Sequence, residues 1–168
     1  MATAIAKPDA ATTNAQPRSV SYNSLQDILN DVEAVIADGA VSSGNWTPAQ
    51  NIDHVRRLMT VSREGTSLKM PLHIRLLGRL VIKRRIFTNA LPRGLKMPKA
   101  AEEVFLPPAD ITLEQAMSDF RNEVERCSKP GAMNQPSPLV GPIPHEKWEQ
   151  LHCRHAELHF SNLHPASH

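Results

Sequence analysis

The chain has 168 residues, 40% of them apolar and 21% charged, with a formal net charge of +2 at pH 7. These values fit a single soluble domain with its own core, and they exclude a collagen-like repeat, an acidic solvating tail and a wholly disordered chain. Two cysteines, Cys127 and Cys153, form no CxxC pair, which excludes a disulfide scaffold and a thiolate zinc ribbon and predicts a reducing, cytoplasmic compartment.

Met1 to Ser19 contain Ile5 as their single β-branched aliphatic residue and are otherwise mostly Ala, Thr, Asn, Asp and Pro. This predicts a flexible polar tail over 1–19 and one helical domain over 20–168. The tail lacks the apolar run of a secretory leader, and no stretch of about 18 apolar residues follows that would span a membrane. A first helix is predicted from Ser24, because Leu25, Ile28, Leu29, Val32, Val35 and Ile36 recur at three- and four-residue spacing up to Gly39. Ser24 is placed to cap it and Asp27 lies in its first turn. A second opens at Thr47-Pro48-Ala49-Gln50, a capping box with proline at the first helical position, and runs to Glu64 before Gly65. A third opens in the same way at Thr112-Leu113-Glu114-Gln115 and runs towards Lys129-Pro130-Gly131. The last spans about Pro144 to Leu163 and is ended by Pro165.

Four such helices, with no run of alternating β-branched residues and with prolines grouped in the loops, predict an all-α four-helix bundle. The second-to-third helix crossover, Gly65 to Asp110, is long. Within it Pro71 to Phe87 is apolar and cationic, and Leu72, Leu76, Leu80 and Val81 fall on one side of a possible additional helix.

Eight histidines are the compositional oddity. On the last helix Trp148, Leu151, His152, His155, Leu158, His159 and Asn162 share an arc of about 120° when plotted at about 100° per residue, opposite Gln150, Arg154, Glu157 and Ser161. His155 and His159 are thus aimed inward one turn apart. Taken alone, the pair is as compatible with two core rings bonded to carbonyls as with two ligands. His54, on the second helix, shares the inward arc with Val55, Leu58, Met59 and Val61, while Asp53, Arg56, Thr60, Arg63 and Glu64 take the polar side. Three neutral nitrogens without a thiolate suit zinc, nickel or another borderline divalent ion and leave a position for water or substrate.

Gly44-Asn45-Trp46-Thr47-Pro48-Ala49-Gln50-Asn51-Ile52-Asp53-His54 resembles the opening of the second helix in the DinB/YfiT-like metalloenzyme superfamily. Trp148-Glu149-Gln150-Leu151-His152-Cys153-Arg154-His155-Ala156-Glu157-Leu158-His159 resembles its last helix. With Lys83-Arg84-Arg85 and the Leu139–Pro144 loop, these stretches look most like an uncharacterised bacterial branch, over roughly Tyr22 to Pro165. The resemblance implies up-down-down-up connectivity with a long crossover between the second and third helices. It also implies metal ligation by His54, His155 and His159, and the frequent formation of homodimers. Thiol-dependent transferases and isomerases occur in that superfamily, so thiolate activation is an implied chemistry. His152 is an additional histidine: a donor supporting a ligand, an alternative ligand or a satisfied core residue, the last being preferred. No general base is assigned, since Asp53 and Glu157 are expected on polar faces. Cys127 and Cys153 read as small packed hydrophobes, and Trp46 and Trp148 as core or pocket-wall aromatics.

Residues 65–101 hold nine of the nineteen Lys and Arg and none of the seventeen Asp and Glu. A solvated amphipathic crossover explains this. The competing reading is a non-enzymatic interaction module that docks an anionic partner or a second subunit. Phe87 is the only aromatic residue among these cations, so there is no strong nucleic-acid signal.

Overall fold

In the computed structural model, residues 15–68, 70–78, 87, 91 and 99–166 are described. They form α1 (Leu25–Ala37), β1 (Ala40–Ser42), α2 (Pro48–Glu64), α3 (Leu72–Leu77), α4 (Lys99–Phe105), α5 (Leu113–Cys127), α6 (His145–Phe160) and β2 (Leu163–Pro165). The fold is mostly helical. It also contains a two-stranded antiparallel sheet, with Ala40 opposite Pro165, Val41 opposite His164 and Ser42 opposite Leu163.

That sheet corrects the all-α expectation and shortens the last helix, which was expected to reach Leu163. Ser161 closes α6, and the chain then leaves the helical path to pair with β1. On the other side Gly39, at φ 76°, makes the turn from α1 into β1, a left-handed conformation that glycine adopts without a Cβ penalty.

The predicted caps form, although at Thr112 only the forward bond of the expected box is made. Ser24 accepts from the Asp27 amide, Thr112 from the Gln115 amide, and Thr47 and Gln50 make both bonds of a capping box. α2 packs against α5 and α6, and α1 packs against the same two helices. Between them lies a core that includes Ile28, Val32, Ile52, Met59, Phe120 and Phe160, the last two meeting edge to face at 5.9 Å. Arg63 and the buried Glu123 pair bidentately at 2.9 and 3.1 Å and tie α2 to α5.

The N-terminal segment is fixed earlier than the tail boundary at Ser19 suggests. Arg18 donates two bonds to Asp31 at 3.0 and 2.8 Å, and its guanidinium also reaches the Leu163 carbonyl. Glu157 accepts from the Tyr22 amide at 2.8 Å. The C-terminal half of the polar side of α6 is therefore covered by the segment before α1, where Ser161 is 2% exposed, whereas Gln150 stays exposed.

The crossover carries α3, inside the stretch expected to hold an extra helix, and α4, which the sequence reading missed. Leu72 and Leu76 face solvent at 78% and 56% exposure, so the stripe they belong to is not a core stripe at this end. Leu80, Val81 and Lys83-Arg84-Arg85 lie outside the described residues. Gly78, just beyond α3, is buried against the 137–141 turn, where a Cβ would overlap the Leu139 carbonyl oxygen. Backbone cannot yield there as a flexible side chain would. Gly78→Ala is expected to destabilise the protein by about 1–3 kcal/mol, measured by urea denaturation; unchanged stability would mean that the crossover does not rest on this turn.

Candidate metal centre

Packing of α2 on α6 brings His54 opposite His155 and His159, and one ring nitrogen from each lies within 4.8 Å of the other two. His54 Nε2 and His155 Nε2 are 3.2 Å apart. Two nitrogens held at about 2.0–2.1 Å from a tetrahedral zinc ion are separated by roughly 3.3 Å, so this spacing is that of two ligands on one ion. The ring centroids of the three histidines lie 4.4 to 5.0 Å apart. Trp46, one residue before the α2 cap, stacks on His159 at 5.7 Å and leans on His54 at 4.6 Å. Phe105 presents an edge to His54 at 6.5 Å.

Hydrogen bonding fixes how His54 presents itself. Its Nδ1 is 2.8 Å from the Phe105 carbonyl oxygen, which can only accept, so Nδ1 carries the proton and Nε2 is a bare lone pair facing His155. On His155 the other nitrogen, Nδ1, is buried without a partner. Burial keeps all three rings neutral. It lowers the pKa of His54, depresses His155 well below the ordinary 6.5 with help from the neighbouring rings, and brings His159 to about 3. A neutral imidazole is the form that binds a metal ion. The donor set, its convergence and its protonation state therefore fit a borderline divalent cation.

His152 does not join the cluster. Ser62 Oγ donates to the Met59 carbonyl at 2.6 Å and so accepts from His152 Nε2 at 3.0 Å, while the ring stacks on Trp148 at 5.4 Å. One nitrogen is satisfied and Nδ1 is buried without a partner. Trp148 is a core residue whose Nε1 donates to the Gln135 carbonyl at 2.9 Å, whereas Trp46 forms a wall of the site. Cys127 and Cys153 are both buried, and burial raises both thiols to about 12. Neither is a thiolate near neutral pH.

Asp53 departs from expectation. Its side chain is 1% exposed, not solvated, and receives Arg56 and Arg57, each at 2.6 Å. The return of the crossover covers this side of α2, contributing Val104 and Phe105 to its environment. Sequence reasoning missed Phe105 and Arg57, because a carbonyl 51 positions away leaves no periodic signal in the helix whose side chain it bonds.

Burial of neutral histidines also sets an acid limit. His152 and His159 are held at about 3 by burial, whereas in the unfolded chain each titrates near 6.5. Below the upper value the unfolded chain takes up protons that the folded chain does not, so stability falls as pH drops through this window, by up to about 1.4 kcal/mol per pH unit for each ring. His152→Gln keeps a donor for Ser62 and removes one titration. Urea denaturation of metal-free protein between pH 6 and 4 should then give a shallower loss of stability than the wild-type chain, and equal slopes would contradict the assignment.

No curated protein and no solved structure matches the chain. A family described as "Protein of unknown function (DUF1569)" matches residues 14–166, a span that includes all three histidines and every described helix, and the chain belongs to that family.

Proposed function

We propose that the protein is a divalent-metal protein of DinB-like architecture, an up-down-down-up four-helix bundle, whose ligands are His54, His155 and His159. The fold reading is supported by the mutual packing of α1, α2, α5 and α6 and by the long connection from α2 to α5. The observation that carries the function is the approach of the His155 Nε2 to the bare His54 Nε2 at 3.2 Å with a third ring nitrogen within 4.8 Å. Zinc or nickel suits three neutral imidazoles. Held by these three residues, such an ion would supply Lewis acidity able to lower the pKa of a water or thiol. The reaction class that follows is a metal-dependent transferase, with a thiol as nucleophile, or a hydrolase.

The protein's own described groups orient and shield the site. His54 is oriented by the Phe105 carbonyl, and the rings of Trp46 and Phe105 limit water beside it. Asp53 is occupied by two arginines and Glu157 by the Tyr22 amide and Arg154. Both carboxylates are engaged by partners outside the histidine cluster.

Metal analysis of untagged protein tests this directly. The wild-type chain should retain close to one equivalent of zinc or nickel after gel filtration. The variant carrying His54→Ala, His155→Ala and His159→Ala should retain almost none, with the helical circular dichroism preserved. Equal, near-zero metal in both would remove the site.

A second reading is favoured by one observation: Leu72 and Leu76, one turn apart in the basic crossover, are exposed at 78% and 56%. Here the crossover docks an anionic partner or a second subunit. Light scattering at rising protein concentration should then reveal a dimer that is sensitive to salt and lost in Leu72→Glu with Leu76→Glu, yet retained without the three histidines. A monomer at every concentration would leave no support for self-association.

A further inference from the structure

Three side chains on one stripe of α2, at positions i, i+4 and i+7, reach main-chain carbonyls at the end of the crossover. Arg57 donates to Val104 at 3.3 Å and His54 to Phe105 at 2.8 Å, while Gln50 makes a long 3.5 Å contact with Pro108. Val104 and Phe105 are the last two residues of α4, where helical carbonyls have no partner within the helix. The middle contact belongs to a proposed ligand. The outer contacts hold the peptide that orients it.

Arg57 is itself anchored. Its Nε donates to Asp53, whose carboxylate also binds Arg56, and Asp53 is buried. Arg56 bonds Asp53 and Thr60. The two arginines therefore share one carboxylate and differ in one respect relevant to the cluster: Arg57 also grips the peptide next to the His54 acceptor.

We infer that Arg57 is a positioning residue for the metal centre: by holding Val104 it fixes the Phe105 carbonyl, which keeps the His54 proton on Nδ1 and presents Nε2 to the ion. This rests on the three-histidine reading. A consequence is reciprocal. If the docked crossover favours the binding tautomer, metal binding favours the docked crossover by the same factor.

The test compares full-length wild-type, Arg57→Met and Arg56→Met proteins, with zinc as the probe. Competition titration gives zinc affinity, and hydrogen exchange follows residues 99–106 with and without zinc. Loss of a group that orients a ligand through its outer nitrogen costs about 10–100-fold in affinity, so Arg57→Met should bind about tenfold more weakly, whereas Arg56→Met should stay within about twofold of wild type. Zinc should slow exchange over 99–106 in the wild-type protein and much less in Arg57→Met. Nitrogen-15 spectra of the metal-free wild type should carry the His54 proton on Nδ1.

Equal zinc affinity in Arg57→Met and the wild type overturns the inference and leaves the three-histidine site intact. A wild-type protein that binds no zinc or nickel overturns both. Should Arg57→Met fail to fold, the wild-type arms decide: zinc-independent exchange over 99–106, or a His54 proton on Nε2, overturns the positioning role.

Discussion

The candidate site depends on the contact between α2 and α6, because it brings three imidazoles from two distant stretches of chain to one place. Each ring is polar; His54 is buried, and His155 and His159 are half-buried. Removing a polar group from water is unfavourable unless its hydrogen-bonding atoms find partners. His54 finds one at the Phe105 carbonyl. His155 does not at Nδ1, while its Nε2 lies within hydrogen-bonding distance of the His54 Nε2, so one nitrogen of the pair of rings stays unsatisfied. Three ring nitrogens converging in this way could hold a metal ion. That is why the same contact that closes the core also defines the site.

The elements around the contact explain why it holds. The first half of α2 is enclosed nearly all round: α5 and α6 pack on it, and the end of the crossover covers Gln50, Asp53 and His54. Charges drawn into this enclosure come with counter-charges. Asp53 has Arg56 and Arg57, and Glu123 has Arg63. Removing one partner of such a pair leaves an uncompensated buried charge, which costs more than the pair itself contributes. At the far end of α6, Arg18 with Asp31 and Glu157 with Tyr22 hold the N-terminal segment down.

How much of this is legible in the sequence depends on whether the determining contact is local. Helix starts are local: Ser24, Thr47 and Thr112 each cap by a bond to a residue three positions on, and the spacing of types alone reveals them. The inward aim of His54, His155 and His159 is local too, since it follows from helical phase. The end of α6 is not, because Leu163 and His164 pair with Ser42 and Val41 across more than a hundred residues. Asp53 is misjudged for the same reason. Helical phase assigns it to the face away from α6, and only the tertiary placement of Val104 and Phe105 turns that face into an interior one. Leu72 and Leu76 are the converse, apolar residues expected on one side of an additional helix that the structure leaves exposed.

His152 and His155 show that position on a helix cannot by itself distinguish a core histidine from a ligand. They are three residues apart on α6, both buried deeply enough to stay neutral, and both leave Nδ1 without a partner. The difference is what α2 sets opposite each Nε2. Ser62, whose proton is already committed to the Met59 carbonyl, accepts from His152 and fixes its proton on that nitrogen. Opposite His155 stands His54, whose proton is drawn to the other side of its ring by Phe105. One serine thus makes the first histidine a structural donor, and one carbonyl on the crossover makes the second half of a converging pair. The chemistry of the site is decided less by which helix carries the histidines than by which acceptor the facing helix leaves free.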